Sequence, residues 1–151
     1  MNLSTKHVGN ISLAHAISYF ADSGYYIFLP VGDNGGAIDL AVSQDGLNLL
    51  RVQCKYTSRR HTSMMKRYPD SPVWDVSLRS TGRLKEEGRY VTDATYTKDS
   101  FDILFVSTPS GDYLIRWPEY CEEQGKTPDR ILLGKNNEKF KLVDSSMSQS
   151  Q

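Results

Sequence analysis

Ala37-Ile38-Asp39-Leu40-Ala41-Val42 and Leu49-Leu50-Arg51-Val52-Gln53-Cys54-Lys55 are the two runs on which the reading of this chain turns. In the first, strand alternation sends Ile38, Leu40 and Val42 to one side and Asp39 to the other. In the second, Leu50, Val52 and Cys54 share a side and Gln53 and Lys55 oppose them. The link Ser43-Gln44-Asp45-Gly46 carries Asp-Gly, a strong hairpin signal, so the two strands are expected to be antiparallel neighbours. That pairing brings Asp39 within reach of Gln53 and Lys55. A carboxylate and a side-chain amide oxygen suit a hard cation such as magnesium, which keeps several waters and takes further ligands from phosphate oxygens. An ammonium beside them would meet negative charge as it builds on an attacked phosphate. Three residues at this loose spacing also occur on the solvated face of an ordinary hairpin, and spacing alone does not separate the two readings.

The flanking sequence bears on that choice. Thr5-Lys6-His7-Val8-Gly9-Asn10-Ile11 opens a helical stretch that ends at Gly24, Leu29-Pro30-Val31-Gly32-Asp33-Asn34 leads into Ile38-Asp39, and Arg51-Val52-Gln53-Cys54-Lys55 follows. This order resembles the PD-(D/E)XK nuclease superfamily. Within it, the chain is most similar to group I intron-associated homing endonucleases, in which glutamine replaces the usual acidic residue of the (D/E)XK element. The resemblance covers residues 5 to 56, is loose from about 57 to 100, and resumes from Phe101 to Pro118.

The resemblance implies an α/β, restriction-endonuclease-like domain with a central mixed β-sheet flanked by helices. It makes Asp39 the metal-binding aspartate, Gln53 the second ligand position, the Cys54 carbonyl a further ligand and Lys55 the catalytic lysine. The implied activity is magnesium-dependent, site-specific cleavage of double-stranded DNA. Two strands require two sites, so a homodimer or a dimer of dimers is expected. The chain departs from the family at Leu13, where a glutamate usually stands on the first helix. Leu13 also belongs to an apolar stripe with Ile17 and Phe20, so core packing accounts for it. Asn10 reads as a helix N-cap and His15 as a partly exposed helical residue rather than as substitutes for the glutamate. Two other readings stay open: a Holliday-junction-resolvase-like nuclease sharing the same site, and a DNA-binding module that has lost catalysis.

The whole chain is consistent with one domain over residues 1–144 and a disordered Ser/Gln-rich tail over 145–151. Its 151 residues carry no net charge, which at first sight disfavours a polyanionic partner, but the charge is unevenly spread. Residues 1–50 carry −3, residues 51–100 carry +5 and residues 101–151 carry −2. In the segment from about 57 to 100, Arg59, Arg60, Lys66, Arg67, Arg79, Arg83, Lys85 and Arg89 are interleaved with Tyr68, Trp74 and Tyr90, the composition expected of a DNA-contacting surface. A solvated loop is the plainer alternative. Cys54 and Cys121 lack CxxC or CxxH companions, which argues against a zinc site or a disulfide framework. With no run of eighteen apolar residues and no signal-like N-terminus, a non-membrane, cytoplasmic protein is expected.

Further elements are expected as a helix from Ile11 to Ser23, a strand from Tyr25 to Leu29, and a strand near Val73 to Leu78. A second hairpin, Ile103 to Val106 with Tyr113 to Trp117, would turn at Ser110-Gly111-Asp112. A short helix should open at Pro118. The site is expected at one edge of the sheet.

Overall fold

The computed structural model describes residues 5–31, 37–67, 69–80, 84–86, 89–91 and 94–143. The tail from 145 and Arg83 lie outside the described residues, and of Lys85 and Arg89 only the backbone is described. Helix α1 (Thr5–Asp22) is followed by strands β1 (Tyr26–Phe28), β2 (Leu40–Ser43) and β3 (Leu50–Tyr56). Helix α2 (Thr62–Arg67) and strands β4 (Trp74–Ser77), β5 (Arg79–Ser80), β6 (Leu84–Glu86), β7 (Arg89–Val91) and β8 (Ala94–Thr95) come next. The chain continues through β9 (Ile103–Thr108), β10 (Gly111–Arg116), α3 (Trp117–Gln124), β11 (Arg130–Leu133) and a 3-10 turn (Lys135–Phe140).

The expected β2–β3 hairpin forms, with Leu40 opposite Val52 and Val42 opposite Leu50. Its turn is built by Asp45, whose Oδ1 accepts from the Ser43 hydroxyl and from the amides of Leu47 and Asn48 at 2.8–2.9 Å. Those donors, led by the Asn48 amide, hold the Asp45 carboxyl far below the usual range. Gly46 supplies the left-handed backbone, φ 79°, that such a turn requires.

Strands β1, β2, β3, β9 and β10 form one sheet in that order, and only β3–β9 is a parallel pair. A parallel pair needs a crossover. Here residues 57–102, the basic segment, make it, through α2, β4, a β5–β8 pair and a β6–β7 hairpin. Gln53 and Lys55 therefore sit on the middle strand of five, and the expectation of a site at a sheet edge is corrected.

All six residues of β9 are buried because the sheet is covered on both faces. On one face Val52, Cys54, Ile103 and Phe105 pack under Ala16 and Phe20 of α1, with Leu13 and Ile17 alongside. On the other, Leu104, Val106, Tyr113 and Ile115 meet Trp74 and Val76 of β4, Ile131 and Leu133 of β11, and Trp117 of α3. The second layer is thus a two-stranded β4–β11 ribbon together with a short helix.

Helix α1 begins six residues before the expected Ile11, so Asn10 lies inside it and is not its N-cap. Gly9 and Asn10 are poor helix formers, each costing up to about 1 kcal/mol, but packing of α1 on β3 overrides so small a preference. The far end is as expected: Gly24 takes φ 82°, its amide bonds the Ala21 carbonyl, and Tyr25 bonds back to Phe20. The β9–β10 hairpin turns at Pro109-Ser110 rather than at Ser110-Gly111-Asp112, with Thr108 opposite Gly111. Pro109 has no amide to give to the ladder, and it shifts the turn one residue earlier.

Candidate active site and adjoining cleft

Asp39 stands one residue before β2, and its amide bonds the Val52 carbonyl at 2.9 Å, which fixes it beside β3. Its Oδ2 accepts two hydrogen bonds of 2.8 Å, from Gln53 Nε2 and from the Cys54 amide. Gln53 Nε2 also donates to the Cys54 carbonyl at 3.1 Å. One amide –NH2 group therefore sits between a carboxylate oxygen and a peptide oxygen, while Gln53 Oε1 is buried with no partner. An orphaned buried oxygen costs about 1–3 kcal/mol.

The donor chemistry fits a hard cation. A carboxylate, an amide and a peptide carbonyl offer only oxygen, and among the described residues no three His, Cys, Asp or Glu side chains converge. The Cys54 thiol takes no part: it packs in the apolar layer under α1, where burial, with Asp39 adding to it, pushes its pKa well up.

Lys55 follows on the same face as Gln53. Its Nζ lies 3.5 Å from the Arg79 carbonyl and 5.3 Å from the centre of the Tyr96 ring. Burial lowers the pKa of this ammonium, and the Asp39 carboxylate works against that shift. Lys55 opens onto a cleft of about 920 Å³ at the C-terminal end of β3, between Val8 and Gly9 of α1 and the β4–β11 ribbon.

The basic residues divide around this cleft. Arg59 and Arg79 line it together with Lys55. Arg60 stacks on Trp74 at 5.6 Å, and Arg67 lines a separate recess of about 290 Å³. Lys66 is exposed in the last turn of α2. Sequence reasoning missed Asp75 and Arg130, which also line the cleft. Asp75 had a signal, a single acid inside the apolar run Val73-Trp74-Asp75-Val76; Arg130 had none.

His15 bonds Asp112 at 3.0 Å and does not join Asp39. Leu13 packs on the apolar layer with Val52 and Cys54, whose side chains alternate with those of Gln53 and Lys55 across the sheet. Leu13→Glu is accordingly expected to cost about 1–3 kcal/mol of stability, by the same amount with and without magnesium. Melting curves in chelator and in magnesium check this; recovery in magnesium would instead bring residue 13 to the ion.

Three comparisons bear on this arrangement. The sequence model of the PD-(D/E)XK endonuclease matches residues 3–127. No curated protein matches the chain. Among solved structures, the bacterial homing endonuclease I-Ssp6803I is similar, with a TM-score of 0.63 and 21% identity over 97% of this chain and 88% of that one. At that identity the likeness speaks for the fold, a restriction-endonuclease-like one. The sequence match spans α1, the β2–β3 hairpin and the parallel strand β9, the elements that hold Asp39, Gln53 and Lys55 together, and the chain belongs to the PD-(D/E)XK endonuclease family.

Proposed function

We propose that this nuclease is a magnesium-dependent, site-specific endonuclease of the homing type that cuts both strands of DNA. The observation that carries the reading is the convergence of the Asp39 carboxylate, the Gln53 amide and the Cys54 carbonyl beside Lys55, at a cleft lined by further cations. The similar fold of a bacterial homing endonuclease supports the homing type.

In this reading Asp39, Gln53 and the Cys54 carbonyl hold the ion. When bound, a divalent cation supplies Lewis acidity toward water and phosphate. The chain's own residues do the rest. Gln53 is held by two acceptors, so turning its amide by half a revolution would exchange Nε2 and Oε1 and set three oxygens around one point with little movement of heavy atoms. Lys55, partly stripped of water, sets a positive charge where the attacked phosphate gains negative charge, and a low local dielectric makes that charge count for more than it would in water. Arg59, Arg60, Lys66, Arg67 and Arg79, with Arg83, Lys85 and Arg89, would position phosphates and supply base contacts. The β6–β7 hairpin, which carries Lys85 and Arg89, has the width of a two-stranded ribbon suited to a major groove.

A double-strand cut calls for two copies, and β1, which ends the sheet and exposes Tyr26 and Phe28, is a surface on which a second copy could pair. Among the described residues no helix is long and apolar enough to cross a membrane. One observation favours a second reading, a DNA-binding module without catalysis: a half-buried Leu13 packs against the core where the family's first-helix glutamate would be.

Incubation with supercoiled plasmid in magnesium and in chelator tests the proposal. Magnesium-dependent linearisation at a few discrete sites is the expected result. Preference for a four-way junction over linear duplex would mark a resolvase instead, and an intact plasmid despite tight DNA binding would favour the non-catalytic module.

A further inference from the structure

The cleft beside Lys55 holds a second set of charges that the catalytic reading leaves unused. Asp75 on β4 is buried, its side chain only 7% exposed. Its Oδ1 lies 3.0 Å from Nε of Arg130, and its Oδ2 lies 4.0 Å from Nε of Arg59. The backbone sets this convergence. Arg130 pairs with Ser77 and Leu132 with Asp75, so Arg130 and Asp75 are diagonal neighbours on one face of the ribbon. The Asp75 amide bonds the Arg59 carbonyl at 2.8 Å, which draws the segment after β3 against β4 from the other side.

One arginine would neutralise one carboxylate. Two guanidiniums on Asp75 leave a surplus positive charge, and both side chains remain more than half exposed to the cleft, at 52% for Arg130 and 78% for Arg59. A guanidinium has five N–H donors in a fixed fork, so contact through Nε does not exhaust it. Held at 3.0 Å by a buried anchor, the Arg130 fork loses less freedom on meeting an anion than a loose surface arginine does, while Arg59, at 4.0 Å, is kept beside the anchor by charge and by the bond from the Asp75 amide to its carbonyl.

Resting on the nuclease reading, we infer that Arg130 and Arg59, anchored by Asp75, form a phosphate-binding clamp for the DNA backbone next to the scissile position. The clamp sits in the same cleft as Lys55, which would carry the phosphodiester backbone from the clamp to the cutting centre. Asp75 touches neither substrate nor ion in this scheme; it is a positioning residue.

The test is binding of a random-sequence DNA duplex in chelator, measured over a range of salt. Arg130→Gln and Arg59→Gln should each reduce the slope of log affinity against log salt by about one and weaken binding about five- to tenfold at low salt. Lys139→Gln, at the remote pair with Glu123, should change neither. Because Arg130→Gln alone takes a partner from a buried carboxylate, the double variant Asp75→Asn with Arg130→Gln is measured beside it. That pair of changes keeps the net charge, so a purely structural or long-range electrostatic role predicts wild-type binding, whereas the clamp predicts the same loss of slope. Wild-type slope and affinity in the double variant would overturn the clamp. Absence of DNA binding by the wild-type protein would instead overturn the nuclease reading on which it rests.

Discussion

Replacing Asp39 or Lys55 by alanine is expected to slow DNA cleavage by at least about a hundredfold while DNA binding persists, the scale of losing one preorganised stabiliser of transition-state charge. The two variants fail for different reasons. Asp39 is the only carboxylate in the oxygen set formed with Gln53 and the Cys54 carbonyl. Its removal also leaves the Gln53 –NH2 group with the Cys54 carbonyl in place of two acceptors and takes the acceptor of the Cys54 amide, both of which donate to Oδ2 at 2.8 Å. Asp39→Ala should therefore lose about 1–3 kcal/mol of stability as well. Asp39→Asn separates the two effects, since its side-chain oxygen still accepts both bonds while the negative charge is gone; it should melt near wild type and still fail to cut. Lys55→Ala removes a charge that burial keeps partly desolvated, and its loss should fall on the chemical step rather than on binding. Single-turnover cleavage with a matched binding measurement checks both. Wild-type rates in either alanine variant would remove these residues from the active site.

How much of this was legible in the sequence depends on how local each signal is. The β2–β3 hairpin was readable because its determinants are local: alternation in two short runs and an Asp-Gly that builds its own turn. That hairpin alone brings Asp39 to Gln53, so the heart of the candidate site came with it. The parallel pairing of β3 with β9 was not readable, because nothing local marks which strand the chain returns to after a crossover of more than forty residues. Helix α2 has no buried residue and hence no apolar periodicity to betray it. Strand β11 is four residues long, too short for its alternation to stand out, and its partner β4 is far away in sequence. Arg130 was invisible for the same reason: it becomes a cleft residue only once β11 has paired with β4. Leu13 shows the opposite limit. The family pattern and the helix stripe gave one position two meanings, and the packing of α1 on Val52 and Cys54 decides for the stripe.

Gln53→Glu is the variant with the largest expected change in the response to metal. The Gln53 –NH2 group lies between Asp39 Oδ2 and the Cys54 carbonyl, the place the proposed site gives to a cation, and its own Oε1 goes without a partner. A carboxylate has no N–H to give, so ionised it would set two negative groups and a carbonyl oxygen around one point, in a residue that is 7% exposed. The introduced carboxyl should respond by staying protonated, because burial and the Asp39 charge both raise its pKa above the unfolded value. A group raised in this way stabilises the fold below its unfolded pKa, and that contribution is lost as pH rises through the folded pKa. In chelator the variant should therefore melt near wild type in mild acid and become less stable toward neutral and alkaline pH, by about 2 kcal/mol or more. Magnesium should close the gap, because a cation compensates two carboxylates better than one carboxylate and an amide, and the same charge count should tighten metal binding. Melting curves across pH, in chelator and in magnesium, read this without any cleavage assay. An equal loss of stability in both conditions would mean that the Asp39–Gln53 pair is a structural hydrogen bond and that the ion, if one binds, sits elsewhere.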